Sequence, residues 1–543
     1  MQILLKNRWF LAAVVVIFLF NLFVMNGTAM LWDEDEAAYA GFAVQMLETG
    51  DWWIPQFEWS EIHRKPPLHF WTIALSYKLF GINEFATRLP SVLAILGTLF
   101  VLFFIGRKTF GRDTVLTACL VLMASLFLPN IAKIAVVDSS LLFCQTLSVL
   151  SLCAYMSAPA WRWNVLFWLG ISLGLLLKGP PILILTGGLW LFLTAFHPQR
   201  KRLIGTHPWL FLPVAMLPLL AWGYVAWQRD PGFVTWLLDF YIFKRVGGSV
   251  LGQTGPPGYY LLVYVLSFFV FLPVLPAAFW DIIRRVRERE GSTLMLAGWL
   301  VFGWLFYEIL PSKLPTYALG ALPAVAILIA RQLLNINKEN YPYKKWASGG
   351  SVFFVLLFFT LAVGMIYTAF ILTGRETSVQ VIFMMFLLWP LSFISGTLTF
   401  ARRYVYGLGG LILTGLLFTT LTWLILLPHV EPLRDAPKRL AQAAQEASPE
   451  GTTILMGNDI SPIPSIPFYL SQHFKYRYYY DDIKEVANKL RSPEPYTVIV
   501  GDEWKTILKQ DFAATGDTLS SINIKGIALD HVSAESYWIL LSE

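Results

Sequence analysis

Apolar residues run along most of the chain in blocks of membrane-spanning length, separated by short polar loops. The blocks fall at about 9–30, 87–106, 114–132, 138–156, 163–177, 180–196, 208–228, 258–280, 292–310, 314–334, 346–372, 378–400 and 405–428. At roughly 20 residues per crossing, they predict a mainly α, polytopic membrane protein of about thirteen transmembrane helices. Only Lys178-Gly179 separates the blocks at 163–177 and 180–196, which are read as two spans. The first block follows Lys6 and Arg8. It is long for a signal-peptide core and no small-residue cleavage pattern follows it before Asp33, so an uncleaved first span is expected.

From about residue 429 the pattern changes: charged residues return and apolar runs shorten. Arg434–Glu446 reads as an amphipathic helix, and Thr453–Met456, Tyr496–Val500 and Tyr537–Leu541 as short strands. The proline-rich Ser461–Pro467 stretch reads as a turn-rich link. These features predict a membrane domain over 1–428, with an outer loop at about 31–86, and a small soluble α/β domain over 429–543. The chain has no internal repeat of solenoid period and no inverted pair of broken helices.

Basic residues fix the expected orientation. Lys6, Arg8, Arg107, Lys108, Arg112, Arg162, Arg200–Arg202, Arg284, Arg285, Arg287, Lys344, Lys345, Arg402 and Arg403 all fall in alternate loops. That places the N-terminus in the cytoplasm and, with an odd number of spans, the C-terminal domain outside. Composition agrees with a membrane chain: 56% of residues are hydrophobic, 14% are charged and 16% are aromatic, with a mean hydropathy of +0.58. These values exclude a disordered chain and an ordinary soluble enzyme. The loop pattern accounts for the net charge of +6, so no nucleic-acid partner is expected. Cys119, Cys144 and Cys153 sit in apolar runs without metal-ligand spacing and read as small buried hydrophobes.

Chemistry concentrates in the loops that this topology puts outside. Asp33-Glu34-Asp35-Glu36 follows the first span. It reads either as a solvated acidic helix N-terminus or as a source of a general base or metal-binding carboxylate. Lys65 precedes Pro66-Pro67 at a stiff helix start, either a phosphate site or an interfacial anchor. Lys133 and Asp138 flank the start of the fourth span, and Lys178-Gly179-Pro180 closes the fifth. Lys244-Arg245 lies before the eighth span, and Ser312-Lys313-Leu314-Pro315-Thr316-Tyr317 joins the ninth and tenth. Each cation taken alone is an ordinary anchor. Asp35, Lys65, Asp138, Lys178, Arg245 and Lys313 nevertheless all gather on the face where cations are disfavoured, which points to an anion there with carboxylates beside it.

These residues resemble the GT-C glycosyltransferases that use a polyprenyl-phosphate sugar, in particular the bacterial aminoarabinose-to-lipid-A transferases and the protein mannosyltransferases. The resemblance rests on Trp32-Asp33-x-Asp35-Glu36-Ala37-x-Tyr39, Gly50-Asp51-Trp52, Pro55 and Lys65-Pro66-Pro67-Leu68-x-x-Trp71. It continues through Leu79-Phe80-Gly81, Arg88-Leu89-Pro90-Ser91, Asp138, Lys178-Gly179-Pro180, Arg245 and Ser312–Tyr317, covering about residues 9–335. It implies a transferase in the bacterial cytoplasmic membrane that moves a sugar from a polyprenyl-phosphate donor to a lipid or protein acceptor, among membrane lipids. Asp35, Glu36 and Asp138 are then the candidate catalytic residues. Lys65, Lys178, Arg245, Lys313 and Tyr317 are the candidates for binding the donor phosphate.

Three positions depart from the family pattern: Ala38 replaces an arginine, Arg64 a glutamate, and no histidine lies between His207 and His429. The last two correspond to metal ligands in the aminoarabinose group. No metal ligand and no obligatory cofactor is therefore assigned, and a divalent cation is left open. The competing reading is a transporter, flippase or polymerase of lipid-linked sugars. A transporter would place its ionisable residues at mid-membrane, whereas here they gather at one face.

Overall fold

In the computed structural model the described residues are 1–32, 35–57, 60, 63–244, 254–373, 375–448, 452–460, 463–472, 474, 477–515, 518–528 and 533–542. The architecture is mainly helical, with a small sheet near the C-terminus. Among the described residues, eight helices are long and apolar enough to cross a membrane: Glu84–Phe110, Val137–Ser157, Pro208–Arg229, Gly291–Ile309, Pro315–Asn335, Lys344–Ile371, Val379–Phe400 and Tyr404–Glu431. The other expected spans are helical but shorter or broken. Arg8–Phe23 and Pro181–Phe196 are short apolar helices, and Trp161–Lys178 is a helix of 18 residues.

Two expected spans break, and they break against each other. The 114–132 run is the helix Arg112–Met123 followed by the short Phe127–Ile131. The 258–280 run is divided into Tyr259–Ser267, the turn Phe269–Phe271 and Leu275–Arg285. Pro273 and Pro276 withhold backbone donors there. The Leu126 amide, at the first break, donates to the Ser267 carbonyl, at the second, over 2.8 Å. Each interruption thus lies buried in protein, where a lost helical bond can be replaced.

The C-terminal sheet has the order β2-β1-β3-β5-β4, with β1 Thr453–Gly457, β2 Arg477–Tyr480, β3 Tyr496–Val500, β4 Leu519–Ala528 and β5 Ser533–Ser542. β1 runs parallel to β2 and β3, and β5 runs antiparallel to β3 and β4. Period-two alternation divides its side chains. Leu455, Val498, Val500 and Leu540 pack with the helices Ile483–Leu490 and Asp502–Thr515. Ile454, Met456, Ile499 and Ile539 face the other way and join the core that continues into the membrane helices.

The expected link at Ser461–Pro467 is a correction: Ser465–Ser471 is a helix, with Ser461 and Pro462 outside the described residues. Pro467 fits because it occupies the first turn, where its missing N–H has no intrahelical partner. The amphipathic helix begins at Ala436, after a separate helix, Leu427–Arg434, that carries the chain across the expected boundary at 429.

Candidate active site

The helix Asp35–Thr49 follows the first apolar helix and is buried along most of its length. Gly41 permits this, because a β-carbon there would lie 2.2 Å from the Phe57 ring. The loop after the helix therefore folds down onto it. The chain then reaches Lys65 and the helix Leu68–Phe80, with Pro67 at its N-cap.

Asp35 and Lys65 meet at this corner, with the ammonium 3.5 Å from Asp35 Oδ1. The Tyr39 hydroxyl, one helical turn on, donates to the same oxygen at 2.6 Å. Lys65 Nζ in turn donates to the Tyr39 hydroxyl, and lies 4.6 Å from the centre of its ring. Lys65 is buried, while 52% of the Asp35 side chain remains exposed to solvent. The protein packed against its inner side pushes the Asp35 carboxyl up, but Lys65, His63, the Tyr39 hydroxyl and Lys178 outweigh it and hold the group well below the usual carboxylate range. Burial, together with the neighbouring Asp35 charge, raises the Tyr39 hydroxyl. Asp35 is thus an ionised carboxylate inside a ring of donors.

A second pair stands close by. Asp138 is in the first turn of Val137–Ser157, where the helix dipole favours a carboxylate. Lys178 ends Trp161–Lys178 and reaches it at 2.6 Å. Gly179 makes that placement workable: its φ of +74° reverses the chain beyond the lysine. Asp138, Lys178 and Tyr317 line a cleft together with Gln145, Tyr241 and Tyr307. Lys178 Nζ lies 5.5 Å from the centre of the Tyr317 ring. Lys65 stands at the edge of the cleft, 5.7 Å from the centre of the Tyr241 ring. Both Lys178, acting on Asp35, and Asp138, acting on Tyr39, are felt electrostatically between the pairs.

Two expected site residues are committed elsewhere. Glu36 is fully buried and forms a two-pronged ion pair with Arg88, at 2.8 Å to Nε and 2.9 Å to Nη2. Its oxygens also accept the Ala135 and Trp32 amides, each at 2.8 Å. This corrects its expected place beside Asp35 in the reacting group: its hydrogen-bonding capacity is spent on the scaffold. The Lys313 ammonium, also buried, donates to the carbonyls of Tyr307 at 2.9 Å and Glu308 at 2.6 Å. It lies 3.6 Å from Glu308 Oε2, and so closes a helix end rather than facing the cleft. Arg245 lies outside the described residues, as do Asp33 and Glu34. Among the described residues, no three His, Cys, Asp or Glu side chains gather in a metal-ligating group.

Sequence reasoning gave Tyr241 no role and saw Tyr39 and Arg88 only as motif letters. Tyr241 carries no local signal, since only the fold brings it to the cleft. Arg88 did carry one: an arginine at the start of an apolar helix needs a carboxylate partner, and Glu36 is that partner.

Comparison with known proteins fits this geometry. Residues 64–224 match the family described as dolichyl-phosphate-mannose-protein mannosyltransferase. A crystal structure of ArnT from Cupriavidus metallidurans bound to undecaprenyl phosphate superposes with a TM-score of 0.74 at 18% identity, covering 98% of this chain and 97% of that one. The chain has the GT-C fold. Among curated relatives, an undecaprenyl phosphate-α-4-amino-4-deoxy-L-arabinose arabinosyl transferase of Edwardsiella ictaluri is 28% identical over 352 residues, which is 61% of this chain and 60% of that protein. A counterpart in Pseudomonas fluorescens is 26% identical over 343 residues, again 60% of its length. The archaeal oligosaccharyltransferase of Archaeoglobus fulgidus shares the GT-C fold more distantly, with a TM-score of 0.51 at 13% identity over 92% of this chain and 70% of that one.

Proposed function

We propose that this GT-C protein is a glycosyltransferase. It takes a sugar from a polyprenyl-phosphate donor and passes it to a lipid, such as a lipid-A-like glycolipid, or to a protein acceptor at the outer face of the cytoplasmic membrane. One observation carries the reading: two carboxylate–ammonium pairs, Asp35–Lys65 and Asp138–Lys178, adjoin one aromatic-lined cleft. A diphosphate-free donor of this kind carries a compact anionic leaving group on an apolar tail. Such a ligand calls for cations beside an apolar surface. The relatives named for undecaprenyl-phosphate chemistry support the same choice.

The orientation rests on one helix. Asp138 begins Val137–Ser157, and Arg202 holds the Ser157 carbonyl at its other end over 3.0 Å. Its 21 residues rise about 30 Å, the thickness of a hydrocarbon core. With Arg200–Arg202 in the cytoplasm, the cleft, the 31–86 loop and the C-terminal domain over 429–543 lie outside.

In the reaction, the bond from the anomeric carbon to the phosphate oxygen breaks, and a bond to the acceptor oxygen forms. The phosphate leaves with the bonding electron pair and is stabilised by Lys65 and Lys178, with Tyr317 and Arg245 as further candidates. Asp35 takes the proton of an acceptor hydroxyl; where the acceptor is itself an ionised phosphate, Asp35 positions it. Asp138 orients the sugar and holds Lys178. The test is Asp35→Asn in the full-length protein reconstituted in liposomes with a radiolabelled polyprenyl-phosphate sugar. Donor binding is expected to persist while transfer to a hydroxyl acceptor falls by about 10²–10⁴-fold. Wild-type transfer by a folded Asp35→Asn would pass the role to Asp138.

A further inference from the structure

The segment leading into Asp35 is held jointly by the ends of two membrane helices, through Arg88 and Glu431, and by the C-terminal domain, through Tyr469. Three successive amides find side-chain acceptors there. Met30 N–H donates to a Glu431 carboxylate oxygen, Leu31 N–H to the Tyr469 hydroxyl at 3.0 Å, and Trp32 N–H to Glu36 Oε2 at 2.8 Å. Arg88 takes the carbonyls of Asn26, Ala29 and Met30 at 3.0, 2.8 and 2.8 Å. Glu431 belongs to Leu427–Arg434, and Tyr469 to Ser465–Ser471, on the C-terminal side of the molecule.

Other contacts brace the same junction. Arg434 is 3.2 Å from Glu431 Oε2, and its guanidinium lies 3.7 Å from the centre of a Trp32 ring. The Tyr469 hydroxyl donates to Glu84 Oε1 at 3.3 Å, and Lys438 meets the same oxygen at 2.6 Å. Met30 and Leu31 are buried, so water cannot replace the acceptors they use. Leaving such a donor unpaired would incur its full desolvation penalty. The path of Met30–Trp32 also sets the helix that bears Asp35, because the Ala37 amide bonds the Trp32 carbonyl at 2.9 Å.

We infer that the C-terminal domain completes the reacting site, with Glu431 and Tyr469 acting as positioning residues that hold Met30–Trp32 and, through it, keep Asp35 against Lys65 and Tyr39. This rests on the reading of Asp35 given above. The cleft around Lys178 and Tyr317 is built on other helices, so that part of the donor site does not depend on the clamp, which leaves donor binding little changed. The chemical step does, because a displacement of about 1 Å at a reacting group can cost on the order of 10²-fold.

The experiment compares Tyr469→Phe, Glu431→Ala and Glu431→Gln with Asp35→Asn, all in the full-length protein in liposomes with a polyprenyl-phosphate-sugar donor. Tyr469→Phe and Glu431→Ala should lower kcat about tenfold or more while the donor KM stays within about twofold. Glu431→Gln, which keeps an acceptor oxygen for Met30, should recover most of the loss. The acid limb of the kcat profile should rise in pH in the two impaired variants, as Asp35 moves away from Lys65, His63, Tyr39 and Lys178. Wild-type kcat and acid limb in both variants, with Asp35→Asn inactive, would overturn the clamp and leave the reading of Asp35 standing. If Tyr469→Phe does not fold, the Glu431→Ala and Glu431→Gln pair decides. Equal effects on kcat and donor KM, in proportion to a lowered melting temperature, would also overturn the clamp. An active Asp35→Asn would overturn both claims.

Discussion

Glu36→Gln separates a structural carboxylate from a reacting one. The native side chain receives Arg88 through two nitrogens and the Ala135 and Trp32 amides, all between 2.8 and 2.9 Å. A glutamine keeps one acceptor oxygen, but turns an NH2 group toward donors that previously met a carboxylate oxygen. The Arg88 charge then lies fully buried without its counter-charge. Breaking a buried pair from one side costs about 3–5 kcal/mol, a large part of the roughly 5–15 kcal/mol that holds a typical fold. The melting temperature in detergent should fall by about 3–4 °C, while kcat per folded molecule changes only a few-fold. A group that moved a proton or bound the reacting sugar would show the reverse, a loss of about 10²–10⁴-fold in a stable protein. A variant with wild-type melting and a hundredfold loss of kcat would refute the structural assignment of Glu36.

On the proposed reading, Lys178→Met would remove one charged contact to the donor phosphate; it also strands Asp138, whose side chain is 12% exposed. Losing such a contact costs about 1.5–3 kcal/mol, so the donor KM should rise by roughly 10–150-fold, as steady-state transfer at varied donor would measure. His63 bears on pH stability: burial, then Lys65 against the favourable Asp35, lowers it from 6.5 to about 4. The unfolded chain therefore binds the extra proton between those values. His63 contributes stability above about pH 6.5 that is lost as pH falls toward 4, amounting to roughly 3 kcal/mol at most. His63→Gln should flatten that part of the melting-temperature profile, and an unchanged slope would rule His63 out as its source.

The sequence revealed the site unevenly, for physical reasons. Hydrophobic blocks located the membrane helices because burial in lipid demands apolar length. They could not tell a continuous helix from one broken at Pro273 and repaired by the Leu126–Ser267 bond, because that repair is a tertiary contact. Charge against the positive-inside bias picked out Lys65 and Lys178 as candidates for binding an anion, and in the structure each pairs with a carboxylate. The same signal picked Lys313, whose ammonium is instead bound to helix-end carbonyls. Charge in a loop reports that a cation must be compensated, not by what. The four adjacent carboxylates at 33–36 likewise look equivalent in sequence. In the helix, successive residues point about 100° apart, so Asp35 reaches Lys65 while Glu36 turns into the protein toward Arg88. β4 went unseen because its polar residues, Ser520, Ser521, Asn523 and Lys525, dilute the apolar pattern.

The paired state of the site bears on how the proposed reaction would start. Asp35 held far below its usual range is a weak base, and base catalysis works best with a pKa near the working pH. Part of that depression comes from Lys65 and Lys178. A donor phosphate bound to these lysines would neutralise them and withdraw their support from Asp35. Its basicity would then rise only when the leaving group is in place. The phosphate would likewise compete with Asp138 for Lys178, which lies 2.6 Å from it. On this view the two salt bridges keep Asp35 ionised and both ammonium groups paired until the phosphate competes for the cations. The arrangement ties activation of the acceptor to occupancy by the donor without any movement of the backbone. Separating such pairs in hydrocarbon would leave a bare charge, which a polar cleft avoids.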